Sequence, residues 1–238
     1  MDATKRPNLN QPQINKQTAT PSSRAANRTN HLAKLLNPLL LDAIEACVQG
    51  LPKLPSRFAL GLSGGPDSAV LAIHAQHWAK RKGVALHAFH IHHGLQAPAD
   101  RWQAQSHDLA RRLQIPCHSI RVHVDTKSGR GIEAAARQAR YRGLQLLADR
   151  FAIPHVFLAH HLDDQAETVL LQLLRGSGPE GLAAMSSQSQ RGGCVFLRPF
   201  LDIERTILLD FVQQYQQLSA WQAVDDPSNR DDRYTRSA

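Results

Sequence analysis

From residue 57 onward, short apolar runs alternate with segments of helical periodicity. The apolar runs occupy residues 58–62, 84–91, 119–124, 155–159 and 195–201. Apolar positions recur at helical spacing over residues 66–82, 100–113, 131–151, 163–175 and 203–217. This alternation predicts an α/β fold, a parallel sheet with helices on both faces. Ligands of such sheets bind beyond the carboxyl ends of the strands.

The first 30 residues do not follow this pattern. They are rich in Asn, Gln, Thr, Pro and Ser. Such a segment buries too little apolar surface to offset the entropy of ordering, so residues 1–30 are predicted to be disordered. Residues 31–56 are predicted to hold an amphipathic helix over 32–48 and a linker marked by Pro52 and Pro55. Residues 57–238 are predicted to form the sheet domain.

Charge and cysteine content narrow the class of protein. The chain has 28 Lys and Arg against 20 Asp and Glu, a formal net charge of +8. This balance favours a polyanionic partner, the alternative being a basic solvated surface. Cys47, Cys117 and Cys194 lie far apart, which argues against a disulfide framework or a zinc ribbon and suits the cytoplasm. No apolar stretch has the roughly 20 residues that span a membrane, so no membrane association is expected.

The segment "LGLSGGPDSAVLA", residues 60–72, interrupts an apolar run and then resumes with a helical pattern. Its two glycines allow the backbone to approach a ligand closely, and its proline suits a first helical turn. The unpaired N–H groups of that turn make an anion site suited to phosphate. The alternative is an ordinary strand-to-helix turn capped by Ser and Asp. The predicted phosphate-binding residues are Ser63, Gly64, Gly65, Pro66, Asp67 and Ser68.

A second motif, "HHLDDQAE", places acidic residues at the start of a helix that follows a strand. Helical spacing brings Glu167 onto the same face as Asp163 and Asp164. Such carboxylates can bind Mg²⁺ or hold an ammonium group. The alternative is a capping box in which Asp164 caps the helix and Glu167 reaches back to it.

Histidines and arginines supply further candidates. His90 and His160 end predicted strands, and we assign them to nucleotide contacts, with strand-end packing as the alternative. In "GIEAAARQARY", residues 131–141, Arg137 and Arg140 suit a carboxylate or a phosphate, which the guanidinium fork binds well. The alternative is an exposed ion-pair face with Glu133.

The order S-G-G-x-D-S after a first strand resembles the PP-loop of the ATP pyrophosphatases, a superfamily of Rossmann-like α/β folds. These enzymes split ATP into AMP and pyrophosphate. The resemblance implies that residues 63–68 hold the pyrophosphate portion of ATP. It also implies that Asp67 assists through Mg²⁺, with Asp164 as a second candidate ligand of the metal.

Further stretches resemble the tRNA(Ile)-lysidine synthetases. They are "FHIHHGL" (89–95), "GIEAAARQARY" (131–141), the block at 158–185, "RPFL" (198–201) and "DPSNRDDRYTR" (226–236). The resemblance implies ATP-dependent ligation of L-lysine to C2 of the wobble cytidine in an isoleucine tRNA with a CAU anticodon. The product is lysidine, formed through an adenylated base. The catalytic candidates are Asp67, Asp164, Glu167, Arg137 and Arg140.

Two alternatives accompany this interpretation. The family normally continues beyond the last of these motifs with a helical linker and a further domain that dock tRNA, and the chain is expected to lack them. A nucleotide-binding module without turnover is therefore one alternative. The other is a PP-loop enzyme that thiolates tRNA, although such enzymes commonly use paired or catalytic cysteines that Cys47, Cys117 and Cys194 do not provide.

Overall fold

A computed structural model describes residues 34–94, 98–125, 131–174, 176 and 184–224. The helices are α1 (Pro38–Gln49), α2 (Pro66–Lys82), α3 (Ala99–Leu113), α4 (Ile132–Phe151), α5 (Leu162–Leu174) and α6 (Arg205–Ser219). The strands are β1 (Arg57–Gly61), β2 (Ala85–His92), β3 (Cys117–Arg121), β4 (His155–Phe157), β5 (Gln188–Arg191) and β6 (Cys194–Leu197).

The strands form one sheet in the order β3-β2-β1-β4-β6-β5. Five of them are parallel, with Ala59 of β1 opposite His87 of β2 on one side and Val156 of β4 on the other. β5 pairs antiparallel with β6 at the edge. The predicted parallel sheet is therefore confirmed, and β5 is an additional antiparallel edge strand that was not predicted. The sequence of β5, QSQR, has no apolar residue, so an apolar pattern does not reveal it.

Helices cover both faces of the sheet, as predicted. Phe58 and Leu60 of β1 point into a core that they share with α1, α2, α3 and α6. Ala59, between them, points into a second core on the opposite face, where α4 supplies Tyr141 and Leu144. This alternation follows from the period of two in a strand, since both faces of a covered parallel sheet must be apolar.

Several predicted bounds shift by a few residues. The helix predicted from residue 32 has its main segment, α1, beginning at Pro38, because Asn37 caps it by accepting a hydrogen bond from Leu39 N at 3.0 Å. β3 begins at Cys117, two residues before the predicted start, because Cys117 pairs with Ala88 of β2. The last parallel strand ends at Leu197, and residues 198–201 leave the sheet.

The N-terminal prediction of disorder, residues 1–30, lies outside the described residues, as does the motif at 226–236. The division predicted at residue 57 stays a prediction. Leu40 and Ile44 of α1 are fully buried in the same core as α2. No helix in the described ranges has both the length and the apolar character needed to cross a membrane.

Candidate active site

The sheet has its topological switch point between β1 and β4. From β1 the chain builds β2 and β3 on one side of the sheet, and it then crosses to build β4 and β6 on the other side of β1. The loop after β1 and the start of α5 after β4 consequently flank one crevice at the carboxyl edge of the sheet, where open α/β sheets bind ligands. The sequence-predicted phosphate loop and acidic motif therefore meet at the same edge.

The 63–68 loop is held by its own hydroxyl groups. Ser68 Oγ donates to Gly65 O at 3.0 Å and lies 3.0 Å from Ser63 Oγ. Ser63 Oγ also accepts from Gly65 N at 3.3 Å. Gly65 is the N-cap of α2, no side chain caps the helix, and Pro66 follows at its first position. The alternative of a turn capped by Ser or Asp is therefore wrong, and the helix N-terminus keeps its capacity for an anion.

Gly64 is fixed by contacts behind the loop. Its φ is +88°, and an added Cβ would lie 2.8 Å from both Ser106 Oγ and Val224 Cγ2. Gly64 O accepts a hydrogen bond from Val224 N at 2.9 Å, so the segment after α6 runs against the loop. Trp221 secures that segment to α3 by donating Nε1–H to Gln105 O at 3.2 Å. Only glycine satisfies both the φ value and this close approach.

Asp67 and Asp164, two predicted site residues, converge on His161. His161 Nε2 lies 3.8 Å from Asp67 Oδ2 and 3.4 Å from Asp164 Oδ2. Arg205 Nε reaches Asp67 Oδ1 at 3.7 Å from the other side. Burial raises the pKa of Asp67 and the Asp164 charge raises it further, whereas Arg205 and His161 oppose the rise. The crevice thus brings these two carboxylates together with one guanidinium and one imidazole, and Asp163 Oδ1 lies 3.9 Å from Nδ1 of the same imidazole.

The start of α5 is a capping arrangement shifted by one turn from the predicted one. Asp164 Oδ2 accepts from His161 N at 3.0 Å, and Gln165 N donates to His161 O at 3.2 Å. His161 is therefore the N-cap residue, and Asp164 is the residue three positions later that reaches back. The alternative in which Asp164 is the N-cap and Glu167 reaches back is therefore wrong. Glu167, predicted to reach back, lies one turn further along and is half-buried.

Arg137 and Arg140 belong to a cationic cluster on the β4 side. Burial lowers the pKa of His160 to about 2, and the charges of Arg140, Arg137 and Arg198 lower it further. Burial also lowers the pKa of His93 to about 4, with Arg140 as the next cause. Nδ1 of each histidine is buried without a hydrogen-bond partner in the described part of the chain. Crowded cations with unsatisfied nitrogens make an environment for an anion.

Arg198 is the buried member of this cluster. It is 5% exposed, and its hydrogen bonds go to neutral groups: Ser186 O at 2.9 Å, Ser189 Oγ at 2.9 Å and Tyr141 Oη at 3.2 Å. The rings and cations pack closely here, with the Arg191 guanidinium 4.4 Å and that of Arg137 5.7 Å from the centre of the Tyr141 ring. Burial favours the neutral phenol, but the Arg198 hydrogen bond and the neighbouring guanidinium groups lower the pKa of Tyr141 overall.

The sequence and fold of this chain match a known family. The match to the PP-loop domain runs over residues 28–238. The chain belongs to the PP-loop domain family. We refer to residues 63–68 as the PP-loop.

Curated proteins are similar in sequence to this chain. The tRNA(Ile)-lysidine synthase of Bordetella bronchiseptica is 46% identical over 207 residues, which are 87% of this chain and 60% of that protein. The tRNA(Ile)-lysidine synthase of Ralstonia nicotianae is 47% identical over 182 residues, 76% of this chain and 38% of that protein. The chain thus spans about 60% or less of the length of these relatives.

A solved structure has the same fold. The U34-tRNA thiolase NcsA from Methanococcus maripaludis superposes with a TM-score of 0.59 at 18% identity, covering 85% of this chain and 66% of that one. At this identity the likeness concerns the fold alone, and it confirms the Rossmann-like PP-loop architecture.

The carboxylates beside the PP-loop fit Mg²⁺. Asp67 Oδ1 is buried with no hydrogen-bond partner among the described residues, and Asp164 faces the same imidazole. The described residues contain no group of three or more His, Cys, Asp or Glu side chains arranged for a metal. Mg²⁺ suits such a site because it commonly takes one or two carboxylates and completes its shell with water and substrate phosphates.

The remaining assignments stay predictions. His90 is buried and its Nδ1–H donates to Leu62 O at 2.8 Å, directly before the PP-loop. This contact supports strand-end packing, and the nucleotide role of His90 is not tested by it. The same holds for the nucleotide role of His160, whose Nδ1 has no partner in the described ranges.

Sequence reasoning misses two residues of the crevice, His161 and Arg205. The sequence pattern places the first only at a strand end and the second only within a predicted helix. A signal for His161 exists, because its neighbour Asp164 lies at the spacing of a capping box. Arg205 lies at the N-terminus of α6, where its backbone N is 3.4 Å from Asp163 Oδ1. That contact spans 42 residues of sequence, so no local pattern indicates it.

Proposed function

We propose that this chain carries the ATP site and the chemistry of a tRNA(Ile)-lysidine synthetase. The reaction ligates L-lysine to C2 of the wobble cytidine in an isoleucine tRNA with a CAU anticodon, giving lysidine, AMP and pyrophosphate. The observation that carries the proposal is the convergence of Asp67 and Asp164 on His161 beside the PP-loop. The names of the relatives supply the lysine and the tRNA. The dispersed cysteines favour the cytoplasm as its compartment.

In the first step, O2 of the cytosine attacks the α-phosphorus of ATP. The bond to the β-phosphate breaks, pyrophosphate leaves, and the base carries the adenylate. Backbone N–H groups at the N-terminus of α2 stabilise the charge on the departing pyrophosphate. Asp67 and Asp164 would hold Mg²⁺, which would supply positive charge to the phosphate oxygens.

In the second step, the ε-amine of lysine attacks C2. The bond between C2 and O2 breaks, and AMP leaves with that oxygen. The amine must be neutral to attack, and forming it from an ammonium of pKa 10.4 costs about 4.6 kcal/mol at pH 7. Asp164 or Glu167 either holds the ammonium or accepts its proton as the attack proceeds.

The positive charges of the β4 side suit the anionic parts of the substrates. Arg137 and Arg140 are assigned to the carboxylate of lysine or to the nucleotide, because a guanidinium binds both through two parallel hydrogen bonds. The wobble base reaches the crevice from an anticodon loop, where bases are already accessible. The net charge of +8 supports tRNA as the partner.

The thiolation alternative is disfavoured by the positions of the cysteines. Cys47 lies on α1, and Cys117 and Cys194 are the first residues of β3 and β6. The starts of parallel strands lie at the sheet edge opposite the crevice. Burial raises the pKa of Cys47 to about 11 and that of Cys117 to about 12. Cys194 is also buried and its pKa is raised, so none of the three is an activated thiol.

The decisive experiment measures incorporation of radiolabelled lysine into unmodified isoleucine tRNA, together with tRNA-dependent exchange of pyrophosphate into ATP. We compare the full chain with Asp67→Asn and with Asp210→Asn, an exposed residue on α6. The full chain and Asp210→Asn are expected to incorporate lysine, and Asp67→Asn to lose about 100-fold or more of the rate.

Other outcomes favour other functions. ATP binding without tRNA-dependent exchange contradicts the ligase proposal and favours the nucleotide-binding module. Turnover of ATP and tRNA that transfers sulfur rather than lysine favours the thiolase. A chain with no affinity for ATP contradicts the ligase, the thiolase and the nucleotide-binding module alike.

A further inference from the structure

Arg205 stands at the crevice with an incomplete set of contacts. It is the first residue of α6, and its backbone N is anchored to Asp163 Oδ1 at 3.4 Å. Its side chain is 38% exposed and leads back to the PP-loop, where Nε lies 3.7 Å from Asp67 Oδ1. The backbone of Arg205 is thus attached to the acidic motif and its head group is directed at the PP-loop.

The two facing atoms are unsatisfied. Arg205 Nε and Asp67 Oδ1 are both buried, and neither has a hydrogen-bond partner within the described ranges. Their separation of 3.7 Å exceeds hydrogen-bond distance. A buried donor or acceptor without a partner is costly, so such pairs are unusual in ordinary packing. The geometry indicates a cation and a carboxylate that each complete their contacts with something else in the crevice.

The chemistry of the site indicates what these partners are. Asp67 is a residue that would hold Mg²⁺, and a carboxylate bound to that cation would leave Arg205 without its counter-ion. The pyrophosphate that leaves in the first step gains negative charge as its bond to the α-phosphate breaks. The backbone N–H groups of α2 carry only partial charges, whereas a guanidinium carries a full one and binds phosphate oxygens through parallel hydrogen bonds.

The other arginines of the crevice belong to a different part of it. Arg137, Arg140 and Arg198 act on His160, on the β4 side. Among the residues that the structure describes, Arg205 is the arginine in ion-pair contact with the PP-loop aspartate. Of these four arginines, Arg205 is therefore the one within 4 Å of the PP-loop carboxylate.

We propose that Arg205 is a catalytic residue that binds the β- and γ-phosphates of ATP and stabilises the pyrophosphate as it leaves. This inference rests on the proposed function. It adds a residue from the N-terminus of α6 to a phosphate site otherwise formed by the PP-loop and α2. It also divides the binding of ATP, because Arg205 contacts the part that becomes pyrophosphate and not the part that becomes AMP.

The test measures, in the full chain, the binding of the pyrophosphate part and of the AMP part of ATP separately. We compare wild type, Arg205→Gln and Arg205→Lys, with Arg81→Gln on the exposed end of α2 as the charge-matched control. Binding of ATP, pyrophosphate and AMP is measured by calorimetry, and tRNA-dependent pyrophosphate exchange is measured at saturating ATP. Arg205→Gln is expected to weaken pyrophosphate and ATP binding, to leave AMP binding unchanged and to slow exchange by about 100-fold. Arg205→Lys, which keeps the charge without the fork, is expected to recover part of the rate.

The readouts distinguish this role from a structural one. Equal losses of AMP and pyrophosphate binding in Arg205→Gln, or an equal effect of Arg81→Gln, would overturn the proposal. So would unchanged pyrophosphate affinity in a folded Arg205→Gln variant. If the wild-type chain itself lacks ATP binding or exchange, the proposed function fails. If the wild type is active and Arg205→Gln does not change pyrophosphate binding or exchange, only this inference fails.

Discussion

Apart from Asp67 Oδ1, the polar groups of the two flanks of the crevice are satisfied in different ways. On the PP-loop side, Ser63, Gly65 and Ser68 bond with one another, and Gly64 O is bonded by Val224 N. On the β4 side, His160 and Arg198 keep buried nitrogens without partners in the described part of the chain. These hydrogen bonds fix the shape of the first flank, whereas the second flank carries uncompensated positive charge. Shape on one side and electrostatic potential on the other provide two separate sources of binding free energy.

The largest expected effect comes from a substitution that disrupts the backbone conformation of the PP-loop. Gly64→Ala places a Cβ at a φ of +88° and 2.8 Å from Ser106 Oγ and Val224 Cγ2. We expect the free energy of unfolding to fall by about 3 kcal/mol, from the backbone strain and the crowding together. Thermal unfolding and ATP titration measure the loss of stability and of binding.

Gly83→Ala is the matched control for that change. Gly83 also has a positive φ, +67°, but no atom lies within 4 Å of its added Cβ. It should lose only about 1 kcal/mol and keep ATP binding. Equal effects at both positions would mean that backbone strain, and not the packing behind the PP-loop, sets the shape of this flank.

The next largest expected effect is a pH dependence of stability that arises from the positive charge of the β4 flank. The pKa of His160 is about 2 in the folded chain and about 6.5 when unfolded. Below pH 6.5 the unfolded state binds the extra proton, so the stability present at neutral pH is lost as the pH falls. Between pH 7 and pH 5 this residue should reduce the free energy of unfolding by about 2 kcal/mol. Urea unfolding at several pH values measures the slope.

His160→Gln should flatten that slope, and His123→Gln, at an exposed position, should leave it unchanged. His74 and His93 contribute to the slope in all three proteins, because burial lowers the pKa of each to about 4. A slope in His160→Gln as steep as that of the wild type would show that His160 on the β4 flank does not resist protonation, and the contrast with the PP-loop flank would fail.

The smallest effect tests the hydroxyl contacts within the PP-loop. Ser68 is 6% exposed, and its Oγ bonds to Gly65 O and Ser63 Oγ. Ser68→Ala should lower the free energy of unfolding by about 1 kcal/mol, and Ser63→Ala, at an exposed position, by less. Urea midpoints compare the two variants. A larger effect of Ser63→Ala would reverse the order and place the main support of the PP-loop on its outer hydroxyl.

The predictable parts of the fold have local causes. The helix predicted over residues 66–82 forms α2 with those bounds, because Pro66 begins it and Gly83 ends it. The phosphate loop and the acidic motif share one predicted edge because parallel strands align their carboxyl ends. Periodicity and turn chemistry are sufficient for such features.

The features that sequence does not predict depend on contacts between distant residues. β5 is polar and exists because it pairs with β6 at the sheet edge. Arg205 reaches Asp67 across the crevice, and Arg198 bonds to Tyr141, 57 residues away. The capping error at α5 has a different origin, since Asp164 suits either the N-cap or the position three residues later, and only the end of β4 selects His161 as the N-cap.

The bond from Val224 N to Gly64 O gives the phosphate loop a second tether, drawn from the end of α6. Linkage makes this tether act in both directions. Under the proposed function, a nucleotide that stiffens the PP-loop would also hold residues 220–224 more firmly against α3. Displacing those residues would weaken nucleotide binding by the same free energy. The hydrogen bond of one backbone amide thus ties the PP-loop to the segment after α6.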